Sequence, residues 1–503
     1  MSEFFNQYQD ERYLSPLTLL YNFLKILPAY LTSFYIIFFE GDNVEKIYLI
    51  ISIAFLFLML PSIILNFLYF KFKITPSEIY IKTGIIAKKN RVIPLSKVQN
   101  ISYSQNFLQK LLNIAKIQIE TAGDMVSEAV LEFVSNKDAE EIIKTIKHYQ
   151  LEHQSTIENF ILDKTEEEKI LFKMNIKDVL IYGATRFRPL FLFFGFWFFS
   201  FIQQFQSISR IFNSNLESGI QNLKNLDTIS LTFVIIISII TIFLISWILD
   251  ILWTLNTFYN FKLVEEKDKL ITSKGLLNKN ISSIPFKKIQ QITIYTNILK
   301  KLFGFYSLKI HTAGFGTQSK GNEVAVPNST LDVIYEVIDK FKKYRIPENL
   351  NHISPKSINR LFIKYSIILI IITIFLINIS FYFLLLLLFI PFLYYFAFLE
   401  WKNRGYLFVN NTIYIKYGVI IKKYNIIPLK KLQILHLKSS YFQRKLGLST
   451  IILDTAAITL GAETVIRDLD TDVALELFNN IIENFNKNNK GIINDTRHNF
   501  NNN

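Results

Sequence analysis

The chain has 503 residues, half of them hydrophobic, with a mean hydropathy of +0.27 and a formal charge of +14 from 55 Lys and Arg against 41 Asp and Glu. That length suits about three domains of ordinary size, and the union of apolar and basic composition points to a membrane protein facing anionic lipid rather than to a nucleic-acid binder. There is no cysteine, which excludes disulfides, thiolate metal ligands and cysteine nucleophiles and leaves the redox compartment unmarked.

The opening MSEFFNQYQDERYLSP is acidic and has no small-residue cleavage site behind a short apolar core, so it does not read as a secretory signal. Crossing a bilayer core about 30 Å thick takes roughly 20 apolar residues, and the segments that qualify come in pairs. The first pair is 17–39, where Lys25 can snorkel and Pro28 interrupts, and 47–70, which is uncharged. The second is 189–205 and 229–249. The third is an uncharged run, 365–399, that as one helix would be about 52 Å long, so it is expected to fold into a hairpin near Asn378 and Ser380.

Lys71, Lys73, Lys177, Arg186, Arg188, Lys262, Arg360, Lys364, Lys402 and Arg404 all flank the spans on one side, while the opposite short loops are poor in positive charge. The positive-inside rule then places both termini and everything between the pairs in the cytoplasm. The chain divides accordingly into 1–70 (first pair), 71–150, a linker 151–188, 189–253 (second pair), 254–345, a linker 346–360, 361–401 (third pair), 402–485, and an Asn-rich tail 486–503 expected to be disordered.

The three stretches between and after the pairs repeat one another. IPLSKVQNIS from Ile93 returns as IPFKKIQQIT from Ile284 and IPLKKLQILH from Ile427. With Pro94, Pro285 and Pro428 as origins, Gly84, Gly275 and Gly418 lie ten residues earlier, and Lys110, Lys301 and Arg444 share a later offset. Thr121, Thr312 and Thr455 close the pattern without a gap. Each copy reads as alternating strands, with Pro tolerated at a strand start and Lys97 and Gln99 on one strand face. Each then ends in an amphipathic helix: 137–149, 331–343 and 472–485. The recurrent glycine suits a turn with positive φ.

These features resemble the membrane-flanked bacterial PH-domain (bPH2) family, and the three-copy layout is similar to its three-repeat members. The third copy departs by ending in TAA at Thr455, Ala456 and Ala457 where the others have TAG, and the second carries an expanded GFGTQSKGNEVAVP stretch. The resemblance implies an α-helical integral membrane protein with six spans in three pairs and three cytoplasmic PH-like domains, each a curved, barrel-like antiparallel sheet with a C-terminal helix.

No catalytic constellation stands out. His148, His153, His311, His352, His436 and His498 lack metal-ligand spacing, and neither a phosphate-cradling loop nor a nucleophile elbow is present. No enzyme activity, cofactor or metal is expected. The candidate binding residues are the basic hairpin tips, Lys88, Lys89, Lys279, Lys422 and Lys423, since each lysine near an anionic leaflet gains about 1 kcal/mol; an ordinary solvated turn is the competing reading. Lys97 with Gln99, Lys288 with Gln290, and Lys431 with Gln433 form a second set, for a ligand or an interdomain contact. The expected partners are membrane lipids, including an anionic inner leaflet, and a partner membrane protein; nucleic acid is not expected. The expected function is binding or scaffolding at the cell envelope, with membrane stress or antimicrobial protection as its setting and lipid handling or transfer as the alternative.

Overall fold

The computed structural model describes residues 11–39, 54, 57, 61–84, 87–121, 129–154, 169–186, 228–266, 268–313, 322–378, 381–457 and 464–500. The chain divides into two units, residues 1–266 with 271–283, and residues 267–270 with 284–503.

In the first unit, β1 (Arg12–Tyr13) precedes helix α1 (Leu17–Phe39) and pairs with β2 (Lys71–Ile74), on the far side of the first apolar segment. The sheet continues through β3 (Glu78–Thr83) and β4 (Lys89–Pro94) in the order β1-β2-β3-β4. Gly84 turns the β3–β4 hairpin at φ +99, and a Cβ there would stand 2.0 Å from the Ala87 carbonyl oxygen. Gly275 and Gly418 repeat this geometry at φ +113 and +97, so the shared glycine answers one steric demand.

Pro94 does not open a strand, as the sequence pattern suggests. It closes β4, where its missing N–H ends the ladder, and Leu95–Lys97 forms a 3-10 turn before β5 (Val98–Gln105) begins. Lys97 therefore ends a corner and Gln99 lies in the next strand, so the two do not share a strand face. Phe286–Lys288 and Leu429–Lys431 make the same corner in the other copies.

After β5 come α2 (Phe107–Leu111), β6 (Ile114–Thr121), β7 (Ala129–Ser135) and α3 (Asn136–Gln154). The Ser135 hydroxyl accepts from the Asp138 backbone N–H at 3.1 Å, capping α3. The i, i+3/i+4 spacing of Ala139, Ile142 and Ile146 puts them over Leu95, Ile117, Ile119 and Leu131, all buried in one core. Tyr21 ties α1 to this copy, its hydroxyl accepting from Asn106 Nδ2 at 2.6 Å.

The second copy starts with β8 (Lys169–Lys173), α4 (Ile176–Thr185) and α5 (Thr228–Phe258), followed by β9 (Lys262–Glu266), β10 (Lys269–Lys274) and β11 (Lys279–Pro285). α4 packs on α5 through Tyr182 and Phe258, ring centroids 5.1 Å apart, and Trp247 Nε1 donates to the Ala184 carbonyl at 3.0 Å. β11 pairs with β5 of the first copy, so one seven-stranded sheet, β7-β6-β5-β11-β10-β9-β8, passes from copy to copy.

The second unit repeats the plan. β12 (Ile289–Asn297), α6 (Ile298–Leu302), β13 (Tyr306–Thr312), β14 (Asn322–Ser329) and α7 (Leu331–Asp339) finish the second copy. The third begins with β15 (Asn351–His352), α8 (Lys356–Ile377), a 3-10 segment Phe381–Phe389 and α9 (Ile390–Lys402), followed by β16 (Gly405–Val409), β17 (Thr412–Tyr417) and β18 (Ile421–Pro428). Pairing of β12 with β18 joins the copies in the order β14-β13-β12-β18-β17-β16-β15. β19 (Leu432–Lys438), α10 (Tyr441–Lys445), β20 (Leu448–Thr455), β21 (Val465–Asp470) and α11 (Thr471–Phe500) complete the chain, with β19-β20-β21 as a separate sheet. α11 runs past Phe485, where the sequence pattern suggested that a disordered tail begins; no proline interrupts the polar run.

Of the six expected spans, the described residues hold three helices long and apolar enough to cross a membrane: Ile240–Phe258, Lys356–Ile377 and Phe381–Lys402. Leu17–Pro28 is a shorter apolar helix; 189–205 and half of 47–70 lie outside the described residues. The 365–399 run does break at Asn378, and α8 packs on α9 through Phe362 on Tyr394 and Tyr365 on Phe396, at 5.4 and 5.8 Å.

Candidate functional site

The β12–β18 seam assembles the cleft of greatest chemical interest. Asn297 ends β12 and caps α6, its side chain accepting from the Lys300 backbone N–H at 2.8 Å. The ladder sets Thr296 opposite Lys422 and Asn297 opposite Ile421, which carries α6 against the Gly418 hairpin tip. Leu399 and Asn403, at the end of α9, form the remaining wall. Ile298, Lys301, Leu302, Val419, Ile420 and Lys422 complete a cleft of about 460 Å³.

The lining combines apolar side chains with lysines, and no lining residue is a carboxylate. Partial burial lowers the Lys422 pKa, and the charges of Lys301, Lys416 and Lys402 lower it further. Lys416 is lowered as well, by burial and then by Lys301. Like charges gathered in a half-desolvated place are costly unless an anion joins them. Such a cleft can take up a phosphate or similar anion with an apolar group beside it, next to the end of a membrane-length helix.

The corresponding seam in the first unit is occupied by the protein itself. Lys110, in register with Lys301, donates to the Leu276 carbonyl at 3.2 Å, and the Phe107 N–H donates to Asn278 Oδ1 at 2.9 Å. Lys279, in register with Lys422, lies over the Tyr103 ring at 5.9 Å.

The sequence-derived candidates scatter. Lys88 and Lys89 are exposed on the first hairpin, and Lys423 lies over the Tyr417 ring at 5.7 Å. Lys97 and Gln433 are exposed, while Gln99 is placed only by its backbone in β5. Gln290 Nε2 donates to the nearby Lys288 carbonyl at 3.2 Å. Lys431 Nζ donates to the Lys287 carbonyl of the second copy at 2.8 Å, an interdomain contact, and its pKa is lowered by burial. Of these residues only Lys422 lines the cleft. Lys301, Lys402 and Lys416 were missed; Lys301 stood in the repeat register and Lys402 among the flanking charges, but no linear signal joined them.

A buried ionic network, also invisible in the sequence, ties the third membrane hairpin to its domain. Asp468 is 0% exposed and takes αL backbone at φ +64. It accepts from Gln443 Nε2 at 2.8 Å, pairs with Arg360, and approaches Arg404 at 3.5 Å. Glu400 bonds both Arg404 and the Tyr365 hydroxyl. Trp401 Nε1 donates to the Ile353 carbonyl at 3.0 Å. Among the described residues, no group of three or more His, Asp or Glu could hold a metal ion.

The bacterial PH domain profile matches residues 23–150, 215–342 and 365–485. The chain is 24% identical over 465 residues, 88% of its own length and 91% of the relative's, to the UPF0699 transmembrane protein YdbT of Bacillus subtilis (strain 168). No solved structure matches it.

Proposed function

The chain belongs to the bacterial PH domain family, and from that premise we propose that it is a non-enzymatic multi-pass membrane protein whose three repeats act as binding and scaffolding modules for a partner membrane protein at the cytoplasmic leaflet, with an anionic lipid headgroup taken up where the second and third repeats join. The observation that carries this reading is a cleft lined by Lys301 and Lys422 beside the end of the last membrane-length helix, with the charges of Lys402 and Lys416 also acting on Lys422. Lysines so placed gain from an anionic surface, and the exposed Ile298, Leu302 and Ile420 suit the boundary between headgroup and acyl chain.

The topology has its own support. Arg12–Tyr13 pairs with Lys71–Phe72, Lys169–Lys173 with the β9 strand, and Asn351–His352 with Gly405–Tyr406. Each pairing fastens the two ends of a membrane segment to one sheet, which favours an even number of crossings per segment. The flanking lysines and arginines favour the cytoplasmic side. Membrane stress and antimicrobial protection are settings consistent with an envelope scaffold.

Binding of water-soluble dioctanoyl phosphatidylglycerol to the intact chain in detergent, measured by calorimetry against dioctanoyl phosphatidylcholine and inorganic phosphate, tests the reading. The anionic lipid should bind at least tenfold tighter than the zwitterionic one, and Lys301→Gln with Lys422→Gln should erase that preference. Equal binding of both lipids, untouched by the substitutions, would favour lipid handling through the apolar wall. Phosphate binding alone as tightly as the anionic lipid would identify a free anion as the ligand.

A further inference from the structure

The two seams share one register. In the first, Lys279 lies opposite Gln105, Asn280 opposite Ser104 and Ile281 opposite Tyr103. In the second, Lys422 lies opposite Thr296, Lys423 opposite Tyr295 and Tyr424 opposite Ile294. Counted from Pro94, Pro285 and Pro428, these are the same positions in both seams. A strand of the β5 or β12 kind thus accepts, in fixed register, a strand of the β11 or β18 kind from the following copy.

At the two ends of the series one half of this joint is left over. β4, the counterpart of β11 and β18, is the outer strand of the β1-β2-β3-β4 sheet, and β19, the counterpart of β5 and β12, is the outer strand of β19-β20-β21. The short helix beside β19 exposes Tyr441 at 58% and Phe442 at 71%, where its counterparts α2 and α6 face the next copy's hairpin tip. An outer strand with unpaired backbone groups is a template for a matching strand.

We infer that β19 of one molecule pairs with β4 of a second copy in the register of the internal seams, forming a head-to-tail assembly. The register sets Lys438 opposite Lys89, Leu437 opposite Asn90 and Leu435 opposite Val92. Val92 is exposed, and Leu435 packs on the third-copy core, so this pair extends that core. Lys89 and Lys438 are both exposed and repel across the joint, which keeps the association weak and makes it stronger as salt rises. The joint is heterologous, so it propagates into rings or open chains.

The absence of cysteine makes disulfide trapping of the intact chain in membranes direct. Membranes carrying Lys89→Cys and Lys438→Cys molecules together should yield an oxidised dimer, several-fold above that from either variant alone. The double variant should give a ladder of multimers, and Lys438→Glu should raise the multimer fraction seen by lysine cross-linking several-fold. Dimers from one single variant alone would mean a two-fold contact and overturn the proposal. An intramolecular disulfide in the double variant, or no cross-link in the mixture, would overturn it as well.

Discussion

At the scale of single residues, the lysine cleft has a pH signature. Lys422 and Lys416 hold their protons less tightly than an ordinary lysine, whose pKa is about 10.4, because burial and neighbouring lysines penalise the charged form. An anion binds the protonated cleft, so affinity for dioctanoyl phosphatidylglycerol should fall as pH rises through these lowered values, before an exposed lysine would begin to titrate. The stability effect has the opposite sign: with the folded pKa below the unfolded one, the protonated cleft costs stability at lower pH, and that cost is relieved as pH rises through the folded value. Calorimetric titrations from pH 7 to 10 check this; Lys422→Gln should flatten the dependence, and an unchanged slope would remove Lys422 from the site. The repeated glycines were legible at this scale because one positive-φ turn demands one residue type. Asp468 was not, because a lone aspartate in sequence says nothing of the two arginines that meet it.

At the scale of elements, the β12–β18 seam is held by a buried polar group as well as by its ladder. The Thr293 hydroxyl donates to Asn425 Oδ1 at 2.9 Å, and His311 Nε2 stands 2.8 Å from Thr293 Oγ1. With that hydroxyl proton spent on Asn425, the network assigns the Nε2 proton to His311. Asn425→Leu removes the acceptor and should destabilise the second unit by about 1–3 kcal/mol, read as a lower midpoint in thermal unfolding in detergent, with α8 and α9 unaffected in their helical signal. A midpoint equal to that of the parent would show that the seam does not depend on this group. The strands themselves were readable from alternation, and the closing helices from their apolar spacing. The corner after each proline was not, because a three-residue 3-10 turn followed by a strand has the same composition as one longer strand.

At the scale of the whole molecule, single cysteines report the sidedness of the membrane hairpins without background. Asn378→Cys, in the turn between α8 and α9, should react with a membrane-impermeant maleimide in intact cells, whereas Lys340→Cys, after α7, should react only once the cells are opened. The reverse pattern would place the repeats outside. Sequence alone determined the three-fold repetition, the family, and the hairpin broken at Asn378, since each rests on a periodic or compositional signal that survives in one dimension. Only the tertiary structure decided that sheets run from one copy into the next, that Lys301 and Lys422 line one cleft with Lys402 and Lys416 near Lys422, and that β4 and β19 are left as outer strands. The physical reason is that strand pairing between copies is set by which backbone edges meet. An edge has no sequence signature of its own, because every residue except proline carries the same hydrogen-bonding groups.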